Sequence, residues 1–203
     1  MTGSVRFAPR HSSTASAAAP AAPLRPRDWF HAALAFAATV ASVVAVHQFA
    51  LPVFHVPSSS MEPTLRPGDR IVVETMSVNL RGVGALNRGD IVVFSGAGGF
   101  DAPGEAGVYV KRIVALPGET VACCDEAGRV TVDGIGLDES YLADLTSPFG
   151  PVEVPDQQLF LLGDHRSTSD DSRLRGTVPV GDVIGRVVAV GWPASRIGAV
   201  PSR

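Results

Sequence analysis

Three consecutive serines, Ser58 to Ser60, lie between Pro57 and Met61 in the segment PSSSMEPTLRPGD. Such a run favours neither a helix nor a strand, whereas hydroxyls in a proline-bounded loop are typical of an exposed turn. A serine nucleophile needs a rigid backbone, an exposed Oγ and nearby N–H groups that hold an oxyanion. Pro57 and Pro63 restrict the loop, which is compatible with that role. A simple linker would have the same composition, so both interpretations stay open at this point.

A serine nucleophile also needs a base, and the chain has one lysine, Lys111, in the segment VYVKRIVAL. Of the five histidines, only His165 lies beyond residue 55. With the two-residue period of a strand, the neighbours of Lys111 on its own face are Tyr109 and Ile113. Burial among apolar groups lowers the pKa of a lysine, and the neutral amine can accept a proton from serine. The same pattern fits an edge-strand lysine whose ammonium reaches water.

A third segment, LLGDHRSTSDDSRLRG, places three acidic residues and three arginines within residues 161–176. By composition alone such a segment is a solvated turn.

These residues need a scaffold, and the sequence beyond residue 52 predicts one that is mainly β. Short apolar runs alternate with turn residues, and no stretch past residue 55 has ten residues of helical period. We predict an antiparallel β-sheet or barrel-like domain over residues 52–203. The runs that predict strands are residues 70–74, 90–94, 108–116, 129–132, 158–162 and 183–192.

The N-terminal part has a different composition. Residues 1–28 are rich in Ala, Pro and Ser and include four arginines, which predicts a disordered basic tail. Residues 29–51 are mostly apolar and long enough for a single transmembrane helix. The preceding arginines place the N-terminus in the cytoplasm and the following domain on the far side. A cleaved signal peptide and a buried helix are the competing interpretations of residues 29–51.

Composition limits the function classes. The formal net charge is −3, so the clustered basic face of a nucleic-acid-binding protein is not indicated. The two cysteines, Cys123 and Cys124, are too few for a closed zinc site. Because adjacent cysteines rarely form an unstrained disulfide, we expect two small strand-end residues without a redox role. We predict neither a metal nor a cofactor.

The segment PSSSMEPTL resembles the nucleophile box of bacterial type I signal peptidases, which remove signal peptides from exported preproteins. It matches every fixed position of that family's Pro-Ser-x-Ser-Met-x-Pro-Thr-Leu string, directly after a predicted span. The resemblance implies that Ser60 is the nucleophile and Met61 its packing neighbour. It also implies that the hydroxyl of Ser58 and the backbone N–H of Ser60 form the oxyanion hole.

The other two segments carry the same resemblance. YVKRIVALPGE is similar to the family's lysine box, which implies that Lys111 is the general base and Arg112 a structural neighbour. GDHRSTSDDSR is similar to the box Gly-Asp-Asn-Arg-x-x-Ser-x-Asp-Ser-Arg. On that likeness Ser169 would hydrogen-bond the lysine, Asp171 and Arg173 would form a bracing ion pair, and Asp164 and Arg166 would support the loop. His165 departs from the family pattern, which has asparagine there.

The resemblance implies a membrane-bound serine endopeptidase with a Ser60/Lys111 dyad, anchored in the cytoplasmic membrane by one span. Its partners would be signal peptides of secreted preproteins and the lipid bilayer, with the secretion translocon as a further candidate. The alternatives are another serine-lysine processing protease of the same fold and a catalytically inactive anchored β domain. A self-cleaving repressor would be soluble, and a secreted β domain would lose its first 50 or so residues.

Overall fold

The computed structural model describes residues 26–49, 51–96, 100 and 107–201. Most of the predicted basic tail, residues 1–25, therefore lies outside the described residues. Helix α1 extends over Pro26–Phe49 and covers most of the predicted span. Within the part of the chain that is described, no helix has both the length and the apolar character that crossing a bilayer requires. The transmembrane anchor thus stays a prediction.

The remainder of the chain is mainly antiparallel β, in agreement with the predicted fold class. Short 3-10 segments connect some of the described elements, for example at Gly82–Ala85, Val180–Asp182 and Ala194–Arg196. In chain order the strands and the two short helices are β1 (Val53–His55), β2 (Arg70–Glu74), α2 (Met76–Arg81), β3 (Ile91–Ser95), β4 (Val108–Ala115), β5 (Thr120–Cys123), β6 (Val130–Val132), β7 (Ile135–Gly136), β8 (Phe149–Glu153), β9 (Gln158–Leu162), α3 (Ser172–Arg175), β10 (Val178–Pro179), β11 (Val183–Trp192) and β12 (Gly198–Ala199).

The larger sheet has the order β1-β2-β11-β3-β4-β9-β10, and β12 adds to β11. All of its pairs are antiparallel. Its central strand β3 is buried on both faces: Val92 and Phe94 pack into one apolar cluster, and Ile91 and Val93 into another. This explains why the run IVVF is continuously apolar instead of alternating.

A smaller sheet has the order β7-β6-β5-β8 and packs its apolar face against Val114, Phe160 and Leu162. Its hairpin between β6 and β7 turns at Asp133 and Gly134, which both have positive φ (50° and 78°). Two such residues in succession fit the turn that best matches the twist of paired strands. Of these four strands the sequence had predicted β6 alone.

The expectation for the cysteines was wrong. Cys123 and Cys124, at the end of β5, are joined by a disulfide. Their adjacency at the strand end brings the two sulfurs together, so the pair is a covalent link and not two separate small side chains.

Two loops and one strand of the larger sheet carry the candidate residues. The serine loop joins β1 to β2, and its ends are held because Val56 donates to Asp69 O and Gly68 donates to Val56 O, at 2.9 and 3.0 Å. Lys111 lies in β4, next to the sheet's centre. The charge-dense loop follows β9, which pairs with β4 from Arg112 onward.

Candidate active site

The loop that carries Ser60 is compact. The N–H of Glu62 donates to Ser59 O at 3.0 Å, and the N–H of Leu65 donates to Met61 O at 2.9 Å. Met61 and Leu65 are buried in the apolar cluster beneath the loop, so they fix its backbone. Ser60 itself stays half-buried. The sequence therefore forms a rigid turn with an accessible hydroxyl, as a serine nucleophile requires.

Lys111 is the buried base candidate. Its side chain is only 4% exposed, and its Nζ is hydrogen-bonded to Ser60 Oγ at 2.8 Å. Its strand neighbours Tyr109 and Ile113, and Val92 opposite it on β3, belong to one apolar cluster. Desolvation by burial lowers the pKa of Lys111 from 10.5 to about 8, although nearby carboxylates, first that of Asp171, oppose the shift. The amine is thus partly neutral near pH 8.

A cleft of about 260 Å³ contains both reactive groups. Phe54 and Val56 contribute to one wall, and Val108 and Val110 to the other. Ser58 also lines the cleft, and its Oγ lies 3.3 Å from Ser60 Oγ. The arrangement can therefore accommodate an extended chain whose carbonyl meets two hydroxyls at the end of the cleft.

The loop after β9 approaches the back of the serine loop at Gly163. The N–H of His165 donates to Ser60 O at 3.1 Å, which links the two loops. A Cβ at Gly163 would lie 2.2 Å from Ser169 Oγ and 2.5 Å from Ser60 O. Only glycine allows this approach, so Gly163 is a site residue that the sequence reasoning missed. Its signal was a glycine placed directly between an apolar strand and the charge-dense loop.

Ser169 is buried beside Gly163, but its Oγ has no hydrogen-bond partner. The hydrogen bond to Lys111 implied by the sequence resemblance is therefore not formed in this structure. The reason is local packing: Ser169 Oγ lies against the Cα of Gly163, while Lys111 Nζ is bonded to Ser60. The role of Ser169 toward the lysine stays a prediction.

Asp171 and Arg173 form the ion pair that the resemblance implied. Arg173 donates from Nε and Nη2 to the two oxygens of Asp171, both at 2.8 Å. Asp171 also accepts the N–H of Gly163, at 3.1 Å. Arg173 further donates to Arg166 O, at 2.7 Å. The pair thus holds both ends of the loop segment that contains Ser169.

A second and fully buried ion pair lies next to the lysine. Arg112 donates to both oxygens of Asp164, from Nε at 2.8 Å and from Nη2 at 2.7 Å. Neither side chain has any solvent exposure. The Arg112 guanidinium also donates to Gly89 O and Pro201 O and lies 3.9 Å from the centre of the Tyr141 ring. Arg112 is therefore more than a neighbour of Lys111, because it joins β4 to the loop after β9.

Arg166 supports the same loop from the other side. It donates to Gly163 O at 2.9 Å, to Thr146 Oγ1 at 2.6 Å and to Glu139 at 2.6 Å. The disulfide sulfurs of Cys123 and Cys124 pack against Thr146 O at 3.8 and 3.6 Å. The support role implied for Arg166 thus has a clear physical basis.

Comparisons with known proteins give several matches. A family model described as "Signal peptidase, peptidase S26" matches residues 27–192. The chain is 37% identical to "Probable signal peptidase I-2" of Synechocystis sp., over 84% of this chain and 76% of that protein. It is 35% identical to "Signal peptidase I S" of Bacillus subtilis, over 70% of this chain and 76% of that protein. A crystal structure of a signal peptidase I from Enterococcus faecalis aligns with 50% of this chain and 95% of its own, at 32% identity and a TM-score of 0.42.

Proposed function

Since the chain belongs to the signal peptidase family, peptidase S26, we propose that Ser60 is its nucleophile and Lys111 its general base. Membership makes the protein a type I signal peptidase, a serine endopeptidase that acts on the signal peptides of preproteins. The observation that carries the residue assignment is the 2.8 Å contact between Lys111 Nζ and Ser60 Oγ. It occurs where burial lowers the pKa of the lysine to about 8.

The reaction begins when neutral Lys111 accepts the proton of Ser60 as Oγ attacks the scissile carbonyl. The C–N bond then breaks, and the ammonium of Lys111 returns the proton to the leaving amine. Neutral Lys111 then takes a proton from the water molecule that attacks the resulting ester, and the bond between the acyl carbon and Ser60 Oγ breaks. The Lys111 ammonium returns the proton to Ser60 Oγ, and the signal peptide is released with a free carboxylate. A cationic lysine could not begin this cycle, so its apolar surroundings are part of the mechanism.

The oxyanion of each tetrahedral intermediate needs donors that are already in position. We assign the Ser58 hydroxyl and the backbone N–H of Ser60 to this role. The support is the 3.3 Å distance between the two hydroxyls and the bracing of the loop backbone by Met61 and Leu65. Ser169, Asp171 and Arg173 act as positioning residues behind the dyad.

The substrate binds as an added strand in the cleft. Val108 and Val110 pair with β3 on one side, and β9 begins to pair with β4 only at Arg112. The first part of β4 can therefore bond to an extended peptide. Because the walls at Phe54 and Val110 are apolar and close to the reactive groups, small apolar side chains fit beside the cut.

The protein is anchored by α1, with its N-terminus in the cytoplasm and its catalytic domain on the far side. The support is the sequence: apolar residues 29–51 follow four arginines. Trp192, 55% exposed on the β domain, suits contact with a lipid interface. The bilayer and the secretion translocon are the proposed partners beside the preprotein. Extraction of membranes at alkaline pH tests the anchor, because an anchored chain stays in the membrane pellet.

The dyad is tested by cleavage of a model preprotein, with the N-terminus of the product determined. We expect Ser60→Ala and Lys111→Met each to abolish cleavage while the fold is kept. Ser59→Ala is the matched control, because Ser59 lies in the same loop and only its backbone oxygen has a partner, Glu62. Near-normal activity of either dyad variant, or loss of activity in the control alone, would show the assignment to be wrong.

A further inference from the structure

A second cavity, of about 340 Å³, opens beside the loop segment that follows Ser60. One of its wall residues, His165, contacts the serine loop directly, because the N–H of His165 donates to Ser60 O. None of its residues lines the cleft that contains the dyad. Its walls are formed by Glu62, Pro63, Arg66, Ala143 and His165.

The walls of this cavity carry polar groups that the fold does not use. His165 Nδ1 is buried and has no hydrogen-bond partner. Among the described residues, neither Glu62 nor Arg66 forms a salt bridge. The side chains of Glu62 and Arg66 can therefore pair with charged groups that enter the cavity.

The course of the two cleft walls shows which part of a substrate reaches this cavity. Residues 54–58 and 108–110 form the walls, and both run in chain order toward the dyad. Beyond the dyad, β4 continues into the sheet, where β9 pairs with it from Arg112 onward. The serine loop instead continues at the surface as Glu62 and Pro63. A peptide whose acyl part fills the cleft therefore leaves along the second cavity.

We propose that this cavity is the subsite for the first residues of the mature chain, the part of the preprotein that leaves as the amine. The inference rests on the proposed role of Ser60 as nucleophile. The cavity takes a charged side chain: Glu62 favours a basic one and Arg66 an acidic one.

The steric test narrows the cavity with Ala143→Phe, because Ala143 is exposed and a larger side chain there does not disturb the core. The substrates are one preprotein with Gly or Gln at the second mature position. We expect kcat/KM for the Gln substrate to fall about tenfold relative to the Gly substrate. Ala127→Phe, at an exposed alanine of the turn between β5 and β6, is the matched control and leaves that ratio unchanged.

The charge test compares Lys with Glu at the same mature position. Glu62→Gln lowers the Lys-to-Glu ratio of kcat/KM, and Arg66→Gln raises it, each about two- to fivefold as for partly exposed ion pairs. A change of the residue before the cut serves as the internal control, because neither variant alters the preference there. The opposite signs separate charge recognition from a general loss of stability.

The proposal is overturned if Ala143→Phe affects all substrates equally, if Ala127→Phe gives the same pattern, or if the two charge variants shift the ratio in one direction. Ser60→Ala, assayed in parallel, separates this failure from failure of the proposed dyad. If Ser60→Ala is inactive but the cavity variants do not change the substrate preference, the subsite proposal is wrong and the nucleophile assignment stands. If Ser60→Ala is active, the assignment of Ser60 as nucleophile is wrong, and the subsite proposal that depends on it fails as well.

Discussion

Two adjacent residues of β4, Lys111 and Arg112, are both buried cations, yet their surroundings have opposite effects. Arg112 has no solvent exposure and is fixed by a bidentate ion pair with Asp164. Lys111 is 4% exposed and has a hydroxyl, Ser60 Oγ, as its hydrogen-bond partner. Burial lowers the pKa of Arg112 too, but Asp164 more than compensates, so the net shift is upward.

Burial favours the neutral form of both side chains, and the charge of the hydrogen-bond partner decides whether that effect prevails. An ion-paired guanidinium stays charged and joins two segments of the fold. An amine without a paired carboxylate loses its proton more easily and can serve as a base. Neighbouring residues of β4 can have such different surroundings because successive side chains of a strand point to opposite faces of the sheet.

Lys111→Arg should cause the largest loss of activity. Arginine keeps its charge at any accessible pH, so a second arginine on the strand cannot accept the proton of Ser60. We expect kcat to fall by about 10⁴-fold or more in preprotein cleavage. Circular dichroism should show that the variant is folded. Activity within tenfold of the wild type would mean that the lysine does not act as a neutral base.

Asp164→Asn should give the largest loss of stability. It leaves the guanidinium of Arg112 buried without its carboxylate, which costs about 3–5 kcal/mol of unfolding free energy. Lys111→Met keeps the side-chain volume and removes a buried amine that has no carboxylate partner. We therefore expect the free energy of unfolding to change by less than about 1.5 kcal/mol. Denaturant unfolding of both variants measures the difference. Equal losses would show that the two cations have the same structural role.

Ser169 and Ser172 extend the comparison to hydroxyls of one loop. Ser169 Oγ has no partner, whereas Ser172 Oγ accepts the N–H of Leu161 at 3.0 Å. We expect Ser169→Ala to lower kcat up to about 10²-fold through misplacement of the base, with little change in melting temperature. Ser172→Ala should instead destabilise the fold by about 1–3 kcal/mol. Kinetics and thermal unfolding of both variants distinguish a positioning role from a structural one. A large loss of stability in Ser169→Ala would contradict the positioning role of Ser169.

The pH profile is the mildest test. Below the Lys111 pKa of about 8 the amine is protonated and inactive, and above it the neutral base predominates. The rate should therefore rise with pH, about tenfold between pH 7 and pH 9, and then level off. Initial cleavage rates of the wild-type enzyme across this range give the curve. A flat profile would contradict a lysine base.

Sequence reasoning brought out Ser60 and Lys111 but not all of the residues that support them. Ser60 and Lys111 stand out because the serine loop and the single lysine each match a long motif. Gly163 was not predicted because its importance comes from its close approach to Ser60 and Ser169 in the folded chain. The sequence alone does not show these contacts. The pairing of Arg112 with Asp164 was also missed, since a charged residue in a strand gives no indication of its partner.

The fold shows the same limit. The six apolar runs all correspond to strands, five in the larger sheet and one, β6, in the smaller sheet, because burial in a sheet leaves a clear pattern. Strands β5 and β8 and the short helix α2 gave no such pattern. Residues 149–153, for example, include Gly150 and Pro151, which ordinarily indicate a turn. Their strand state follows from pairing with β5, a tertiary contact that local sequence does not record.

The hydrogen bond between Lys111 and Ser60 joins residues 51 positions apart in the chain. In an unfolded chain Lys111 is solvated and keeps its usual pKa of 10.5, so at neutral pH it is a cation far from any nucleophile. Catalytic competence therefore appears only when β4 has assembled between β3 and β9 and the serine loop has closed over it. On the proposed assignment of Ser60 and Lys111, folding itself is the step that makes the chain reactive.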